Sequence, residues 1–187
     1  MPSRGARSPR TNRMARWPVL VLALSATLAL SFVVVSAVFF VWPATDRPQH
    51  VDAIVSLNGR DETSREQTAV SLARRGYAPF LLFSQGAFRT TPCPSVPRVV
   101  VVCFEPSPAR TVGEVEFASR YARARGWHSL LIVPGQAQVT RARVLLRRCF
   151  SGRIVVAPAP IPLRLLVSQV FYEWGAMAKA LIWDRHC

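Results

Sequence analysis

One stretch of the chain is apolar without interruption, and it constrains the fold more than any other feature. Residues 18–42 read PVLVLALSATLALSFVVVSAVFFVW, which is 25 residues without a charge, and about 20 such residues cross the hydrocarbon core of a bilayer as a helix. Trp17 and Trp42 lie at its two ends, where an aromatic belt is typical of membrane interfaces. The alternative is a cleaved signal peptide, whose apolar core is normally about 7–15 residues. We expect an uncleaved transmembrane anchor.

Charge predicts the orientation of this anchor. The first 16 residues contain no acidic residue and five arginines, namely Arg4, Arg7, Arg10, Arg13 and Arg16. Positively charged flanks stay in the cytoplasm. We therefore expect residues 1–17 to form a cytoplasmic tail, residues 18–42 to form the anchor in the cell membrane, residues 43–50 to form a short tether, and residues 51–187 to form one extracytoplasmic domain.

The whole chain is strongly basic, with 24 Lys and Arg residues against 10 Asp and Glu residues and a formal net charge of +14. Such a charge favours anionic partners, which include nucleic acids, acidic lipid headgroups and phosphorylated substrates. An extracytoplasmic domain rarely meets nucleic acid, and the sequence has neither a basic patch interleaved with aromatic residues nor a zinc pattern. We expect the membrane and an anionic small molecule as partners, and no nucleic acid.

The expected extracytoplasmic location also bears on the state of the four cysteines. Cys93 and Cys103 flank a proline-rich loop, whereas Cys149 and Cys187 end separate segments, and no Cys-x-x-Cys spacing suggests a metal site. An even number of cysteines outside the cytoplasm favours disulfides. Cys93–Cys103 is the more strongly indicated pair and leaves Cys149–Cys187 as the second; buried free thiols are the alternative.

Short apolar runs alternate with helical segments along the exported part. Each run is apolar throughout, which is typical of a mainly parallel sheet that helices cover on both faces, an α/β fold. Thr63 to Glu66 and Thr111 to Glu114 match the capping-box pattern that begins a helix. The expected strands are Val51–Leu57, Pro79–Phe83, Arg98–Cys103, Ser129–Val133 and Arg153–Ala157, and the expected helices run from Thr63 to Arg75, from Thr111 to Arg125, from the region of Arg141 to Arg148, and from Leu163 to Trp183.

The last of these helices carries Glu173 and Lys179 inside an otherwise apolar pattern. A charge near the centre of a membrane-spanning helix costs about 2.5–3.5 kcal/mol on insertion scales. We therefore expect an amphipathic helix that belongs to the domain and not a second membrane span.

Unusual residues follow the strands where a ligand would bind, because ligands of parallel α/β sheets sit beyond the carboxyl ends of the strands. These candidate ligand-binding residues are Asn58, Gly59, Ser84, Gln85, Gly86, Thr111, Gln138 and Arg141, together with Arg65 on the first helix of the domain. Glu114 is either a catalytic base or the closing residue of a capping box with Thr111. Arg141 lies near a helix N-terminus, where the helix dipole already favours an anion. We expect Arg141 to make a bidentate contact to an anionic ligand, beside hydrogen bonds from Gln138.

The order of these motifs resembles the DUF218 family of envelope proteins, which includes YdcF-, SanA- and ElyC-like members. The matching stretches are VDAIVSLNG, Arg65, GYAPFLLFSQG, Thr111 with Glu114, LLIVPGQAQVTRAR and YEW, and they cover residues 51–180. The resemblance implies a Rossmann-like domain behind one membrane anchor. It also implies a role in envelope integrity, peptidoglycan assembly or the polyprenyl carrier lipid.

This chain departs from the family pattern at one position that carries chemistry. Gln138 occupies the place of the family histidine, and an amide can only donate and accept hydrogen bonds, whereas histidine can move a proton near pH 7. The three histidines of the chain, His50, His128 and His186, do not follow a strand.

Two main functions follow from these residues, and a degenerate domain kept for protein–protein contacts is a remote third. The first is an envelope protein that binds a phosphate-bearing ligand, such as a lipid-carrier headgroup, through Arg65, Gln138, Arg141 and the glycine turns. The second is a hydrolase or transferase of phosphorylated or polyprenyl-linked envelope precursors, with Glu114 as its base. Asp61, Glu105 and Glu114 are the only plausible carboxylates for a divalent metal, so a metal has thin support and we assign no metal ligands, and the sequence does not identify a cofactor.

Overall fold

The computed structural model describes residues 16–59, 62–86, 92–185 and 187, and it divides the chain into two compact units, residues 1–37 and 38–187. The first unit contains helix α1, Arg16–Ser36. A π-helical turn, Ala37–Val41, follows α1, extends from the last residue of the first unit into the second, and completes an apolar helical segment, Trp17–Val41. This segment, with a mean hydropathy of 2.5, is the one helix among the described residues that is long and apolar enough to cross a membrane. It fits a single-pass membrane protein.

The second unit is an α/β domain built on a five-stranded sheet. All strand pairs are parallel, and the strands lie in the order β3-β2-β1-β4-β5. The strands are β1 (Ala53–Ser56), β2 (Phe80–Ser84), β3 (Val100–Phe104), β4 (Ser129–Val133) and β5 (Arg153–Val156). The helices are α2 (Glu62–Arg74), α3 (Thr111–Arg125), α4 (Val139–Cys149), which follows a short 3-10 turn at Gln136–Gln138, and α5 (Leu163–Ile182). The Rossmann-like fold class expected from the sequence is confirmed.

Helices cover the sheet on both faces. Ile54 of β1 packs with Leu72 of α2 in one hydrophobic cluster, whereas Val55 packs with residues of α3, α4 and α5 in the other. Every residue of β1 is buried, as parallel strands between two helical layers require. The order of the strands reverses between β1 and β4, and such a switch point is where parallel sheets bind their ligands.

The two predicted capping boxes are wrong. Helix α2 already begins at Glu62, so Thr63 is not its N-cap. In α3, Arg110 is the N-cap, it has no side-chain capping bond, and Thr111 is the first helical residue. The carboxylate of Glu114 instead reaches the backbone of Asn58. The predicted end of α3 is confirmed, because Gly126 adopts the left-handed conformation of a C-cap with φ 67°.

Residues expected to form a polar tether are hydrogen-bonded along the edge strand β5. The backbone N–H of Asp46 donates to the carbonyl of Val156 at 2.9 Å, and the N–H of Val156 donates to the carboxylate of Asp46 at 2.9 Å. Arg143 of α4 pairs with the same carboxylate at 3.0 Å. These contacts occupy backbone groups of β5 that an open sheet edge would expose.

Candidate functional site

A chamber of about 1040 Å³ lies beyond the carboxyl ends of β1 and β4. It is lined by eight of the residues that the sequence singles out, namely Asn58, Gly59, Arg65, Gly86, Thr111, Glu114, Gln138 and Arg141. Ser84 and Gln85 are buried at the end of β2 but do not line it. The structure therefore brings together most of the candidate residues. A depression of about 510 Å³ on the outer surface of α2, lined by residues of that helix and its end, holds none of them.

Glu114 lies at the inner end of this chamber and is 2% exposed. Its Oε1 accepts a hydrogen bond of 2.6 Å from the backbone N–H of Asn58, which follows β1. Burial raises the pKa of Glu114, and this effect outweighs the hydroxyl of Ser84, the N–H of Asn58 and the positive charges of Arg65 and Arg141, all of which lower it. No described atom completes a hydrogen bond of normal geometry with the Ser84 hydroxyl. A buried carboxyl with a raised pKa in a cleft is a candidate functional group.

Arg65 is buried on α2, and its guanidinium lies between two glycine turns. A Cβ atom at Gly59, after β1, or at Gly135, after β4, would overlap the guanidinium nitrogens of Arg65. The guanidinium therefore lies in close contact with the backbone of both turns. The turns of the two central strands therefore enclose a cation at the switch point.

Gln138 is buried and is held by its own turn. Its Nε2 donates to Oγ1 of Thr111 at 2.8 Å, and its Oε1 accepts a long, weak bond of 3.4 Å from the N–H of Gly135. Gln138 thus lines the chamber, and its side chain already connects α3 to the turn after β4.

Arg141 makes a bidentate contact, but its partner is Glu173 of α5. Nε of Arg141 donates to Oε2 at 2.7 Å and Nη2 donates to Oε1 at 2.8 Å. Both side chains are buried, with exposures of 8% and 2%. Burial lowers the pKa of Arg141, but the hydrogen bonds and charge of Glu173 raise it further, so that the net shift is upward. The expected contact of this fork with a ligand is therefore replaced by an internal ion pair.

Sequence reasoning missed the part of the site that α5 contributes. Glu173, Gln169 and Lys179 line the chamber, and the first two are buried. The sequence did carry a signal, because a glutamate inside an apolar helix needs a partner if it is buried. Arg110, just before α3, pairs with Asp184 at 3.4 Å at the edge of the same chamber.

The remaining chemical candidates among the described residues, His50, His128 and Glu105, do not line the chamber. His50 and His128 precede β1 and β4, where His50 bonds the carbonyl of Gly76 and the backbone N–H of His128 donates to Asp52. His186 and Asp61 lie outside the described residues, and Glu105 does not line the chamber. In the described part of the chain, no three His, Cys, Asp or Glu residues are grouped to hold a metal ion.

Both disulfides expected from the sequence are present. Cys93 is joined to Cys103 with a Cα–Cα distance of 6.0 Å, which connects the proline-rich loop to β3. Cys149 is joined to Cys187 at 5.2 Å, which connects the end of α4 to the residues after α5. Disulfides indicate that the domain folds in an oxidising compartment.

Fold and site together define a Rossmann-like α/β domain with a polar chamber at its switch point, in a chain with one membrane-spanning candidate helix. No family model, curated protein or solved structure matches this chain. Its resemblance to the DUF218 family thus stays a prediction that depends on the order and spacing of the motifs.

Proposed function

We propose that this protein is a membrane-anchored envelope protein of the DUF218 type, with its N-terminus in the cytoplasm, and that its extracytoplasmic domain binds an anionic, phosphate-bearing ligand and supports cell-wall integrity. The observation that carries the proposal is the position of Arg65 between the glycine turns after β1 and β4. A guanidinium in a concave site at a switch point is suited to a phosphate group, because its donors match the oxygens in pairs.

The charges around the chamber support an anion. Arg141 pairs with Glu173 and Arg110 pairs with Asp184, and the chamber is also lined by the cations Arg65 and Lys179 and by the carboxyl of Glu114. Burial raises the pKa of Glu114 and so favours its neutral form. A neutral carboxyl does not repel phosphate and donates one hydrogen bond to it.

The test is binding of inorganic pyrophosphate and of a short-chain polyprenyl phosphate to the full chain in nanodiscs, measured by calorimetry. Arg65→Gln should weaken binding by about tenfold or more, because a charge-assisted hydrogen bond contributes roughly 1.5–3 kcal/mol. Arg74→Gln is the matched control, since Arg74 is an exposed arginine at the far end of the same helix, and it should bind as the wild type does.

Arg65→Lys controls for a folding defect in Arg65→Gln, because it keeps the positive charge and removes only the paired donors of the guanidinium. Binding that is equal in wild type and Arg65→Gln would refute the anion site. Comparison of the two probes distinguishes the source of the phosphate. Tighter binding of pyrophosphate would indicate a free phosphate ligand, and tighter binding of polyprenyl phosphate would indicate a lipid-carrier headgroup.

A second candidate is a hydrolase of phosphorylated or polyprenyl-linked precursors, and the raised pKa of Glu114 favours it. Glu114 would accept the proton of a water molecule that attacks phosphorus, while the P–O bond to the leaving group breaks and Arg65 stabilises the charge on the phosphoryl oxygens. Release of inorganic phosphate from a polyprenyl diphosphate by the wild type, and its loss in Glu114→Gln, would decide for this function. Binding without release would decide against it.

A further inference from the structure

Helix α5 is amphipathic, but its apolar face points outward and its polar face points inward, the reverse of what is usual for a domain in water. Its most buried residues are Gln169, Glu173 and Ala180, whereas most of its large outward side chains are apolar. The exposed apolar side chains include Leu163 (81%), Val167 (66%), Phe171 (63%), Ile182 (54%) and, just after the helix, Trp183 (70%). A surface helix of a soluble domain places its polar residues outward instead.

These apolar residues form one continuous face, because positions 163, 167, 171, 175, 178 and 182 recur at intervals of three or four. The charged residues that α5 and its end expose are all basic. Arg164 lies in the first turn, Lys179 in the last turns and Arg185 just after the helix. An apolar stripe with basic residues beside it is typical of helices that lie in the membrane interface and contact anionic headgroups.

The structure also shows where this face is relative to the end of the apolar segment. Within the second unit, the ring of Phe40 packs edge-on against Trp174 of α5 at 5.3 Å. The carbonyls of Phe39 and Val41 accept hydrogen bonds from Thr140 and Gln136, at 2.6 and 2.5 Å. The last residues of the apolar segment, next to an exposed Trp42, are therefore held directly beside α5. If the segment Trp17–Val41 spans a membrane, α5 therefore lies next to the point where the chain leaves it.

We propose that the outward face of α5 lies in the lipid surface of the membrane that the anchor spans. Its apolar side chains enter the boundary between headgroups and acyl chains, about 5–10 Å deep. Arg164 and Arg185 contact anionic headgroups. The buried side of α5 lines the chamber with Gln169 and Glu173, and the chamber also reaches Phe171 and Gly175 of the apolar face. The chamber therefore lies within one helix diameter, roughly 10 Å, of the lipid surface. The proposal requires the anchor and is independent of the ligand in the chamber.

Photolabelling from within the bilayer tests it on the wild-type full chain. The protein is reconstituted in vesicles of phosphatidylethanolamine and phosphatidylglycerol that carry a diazirine on an acyl chain, and labelled tryptic peptides are mapped. Cleavage after Arg164 and Lys179 isolates residues 165–179, and cleavage after Arg65 and Arg74 isolates residues 66–74 of α2 as the control. The α5 peptide should carry at least about fivefold more label than the α2 peptide, as a helix in the interface requires.

A double variant provides the matched comparison. Val167→Asp with Ile182→Asp places two charges on the apolar face and should reduce the labelling of residues 165–179 by about fivefold, because carboxylates avoid the acyl region. Val100→Asp, at a 53% exposed position of the edge strand β3, should leave it unchanged. A retained Cys149–Cys187 disulfide on a non-reducing gel shows that the variants fold.

Label on the peptide that contains residues 17–41, with none above the α2 control on residues 165–179, would overturn the proposal. So would a chemical cross-link between the α5 peptides of two protein copies in place of lipid label, because the face would then be an interface between copies. The result does not depend on whether pyrophosphate binds.

Discussion

Glu114 fits two roles in the sequence, a capping-box residue and a residue of the binding site, and only the structure distinguishes them. Thr111 and Glu114 have the spacing of a capping box, but the carboxylate turns away from its own helix and accepts the N–H of Asn58, 56 positions earlier in the sequence. The same is true of Arg141, whose partner Glu173 is 32 positions later. A local pattern contains no information on contacts of such separation, so the sequence could place these residues at the chamber without showing what each would bind.

The pH dependence of stability gives a direct check on Glu114. Burial raises its pKa in the folded state, so folding is favoured by the protonated form. The contribution of Glu114 to the free energy of unfolding is fully present below the pKa of an unfolded carboxyl. It is lost as the pH rises through the raised pKa of the folded state. Glu114→Gln lacks this titration and keeps the acceptor for Asn58. Relative to wild type, the variant should therefore gain stability as the pH rises across this range, with a slope no steeper than about 1.4 kcal/mol per pH unit for one proton.

The measurement is thermal unfolding of the full chain in detergent from pH 4 to pH 9. Asp52 contributes with the opposite sign: burial raises its pKa, but the hydrogen bonds from His128 and Ser129 lower it further, so its contribution is lost as the pH falls. That contribution cancels because both proteins contain Asp52. Glu116→Gln, two residues further along α3 and outside the chamber, should show no such change. A constant difference between Glu114→Gln and wild type at all pH values would contradict the assignment.

At the scale of elements, the strands were predictable and the roles of the helices were not. Each strand is a short apolar run between turn residues, and burial on both faces leaves few other arrangements, so the parallel sheet followed from the sequence. The pattern of α5 predicted an amphipathic helix, but not that Gln169 and Glu173 would face inward. Apolar periodicity locates a face; it does not reveal whether water, protein or lipid covers that face.

The buried pair of Arg141 and Glu173 joins α4 to α5, and its removal should act on stability. Arg141→Gln or Glu173→Gln leaves one buried charge without its partner, and each should cost about 3–5 kcal/mol. The double variant Arg141→Met with Glu173→Leu buries no charge and should recover most of that loss. Thermal and urea unfolding of the wild type, the two single variants and the double variant measure these three losses of stability.

The control is the more exposed pair Arg143–Asp46, which starts from the same helix at 3.0 Å. Arg143→Gln should cost no more than about 1 kcal/mol, as is usual for ion pairs near the surface. If Arg141→Gln were as stable as wild type but bound pyrophosphate at least about tenfold more weakly, Arg141 would be a ligand contact in place of a structural one, as the sequence alone had suggested.

The whole molecule combines one apolar helix, a basic N-terminal segment and two disulfides, and these three features predict one orientation. The helix fits a single membrane span, the arginines before it favour a cytoplasmic N-terminus, and disulfides persist outside the cytoplasm. Each feature has its own physical cause: lipid solvation, the bias of charge at the membrane and redox chemistry. Their agreement is therefore stronger support than any one of them.

Thiol labelling in intact cells tests this orientation on the native chain. No cysteine among the described residues is free, so a maleimide-polyethylene glycol reagent should add nothing to the unfolded, unreduced protein and four groups after reduction. A domain retained in the cytoplasm would carry four reactive thiols without reduction, because the cytoplasm keeps thiols reduced.

The variant Thr11→Cys provides the control for the other side of the membrane. An impermeant maleimide should label it only after the membrane is permeabilised, since residues 1–17 are expected inside. Labelling of Thr11→Cys in intact cells, together with four free thiols in the domain, would reverse the orientation and place the chamber in the cytoplasm.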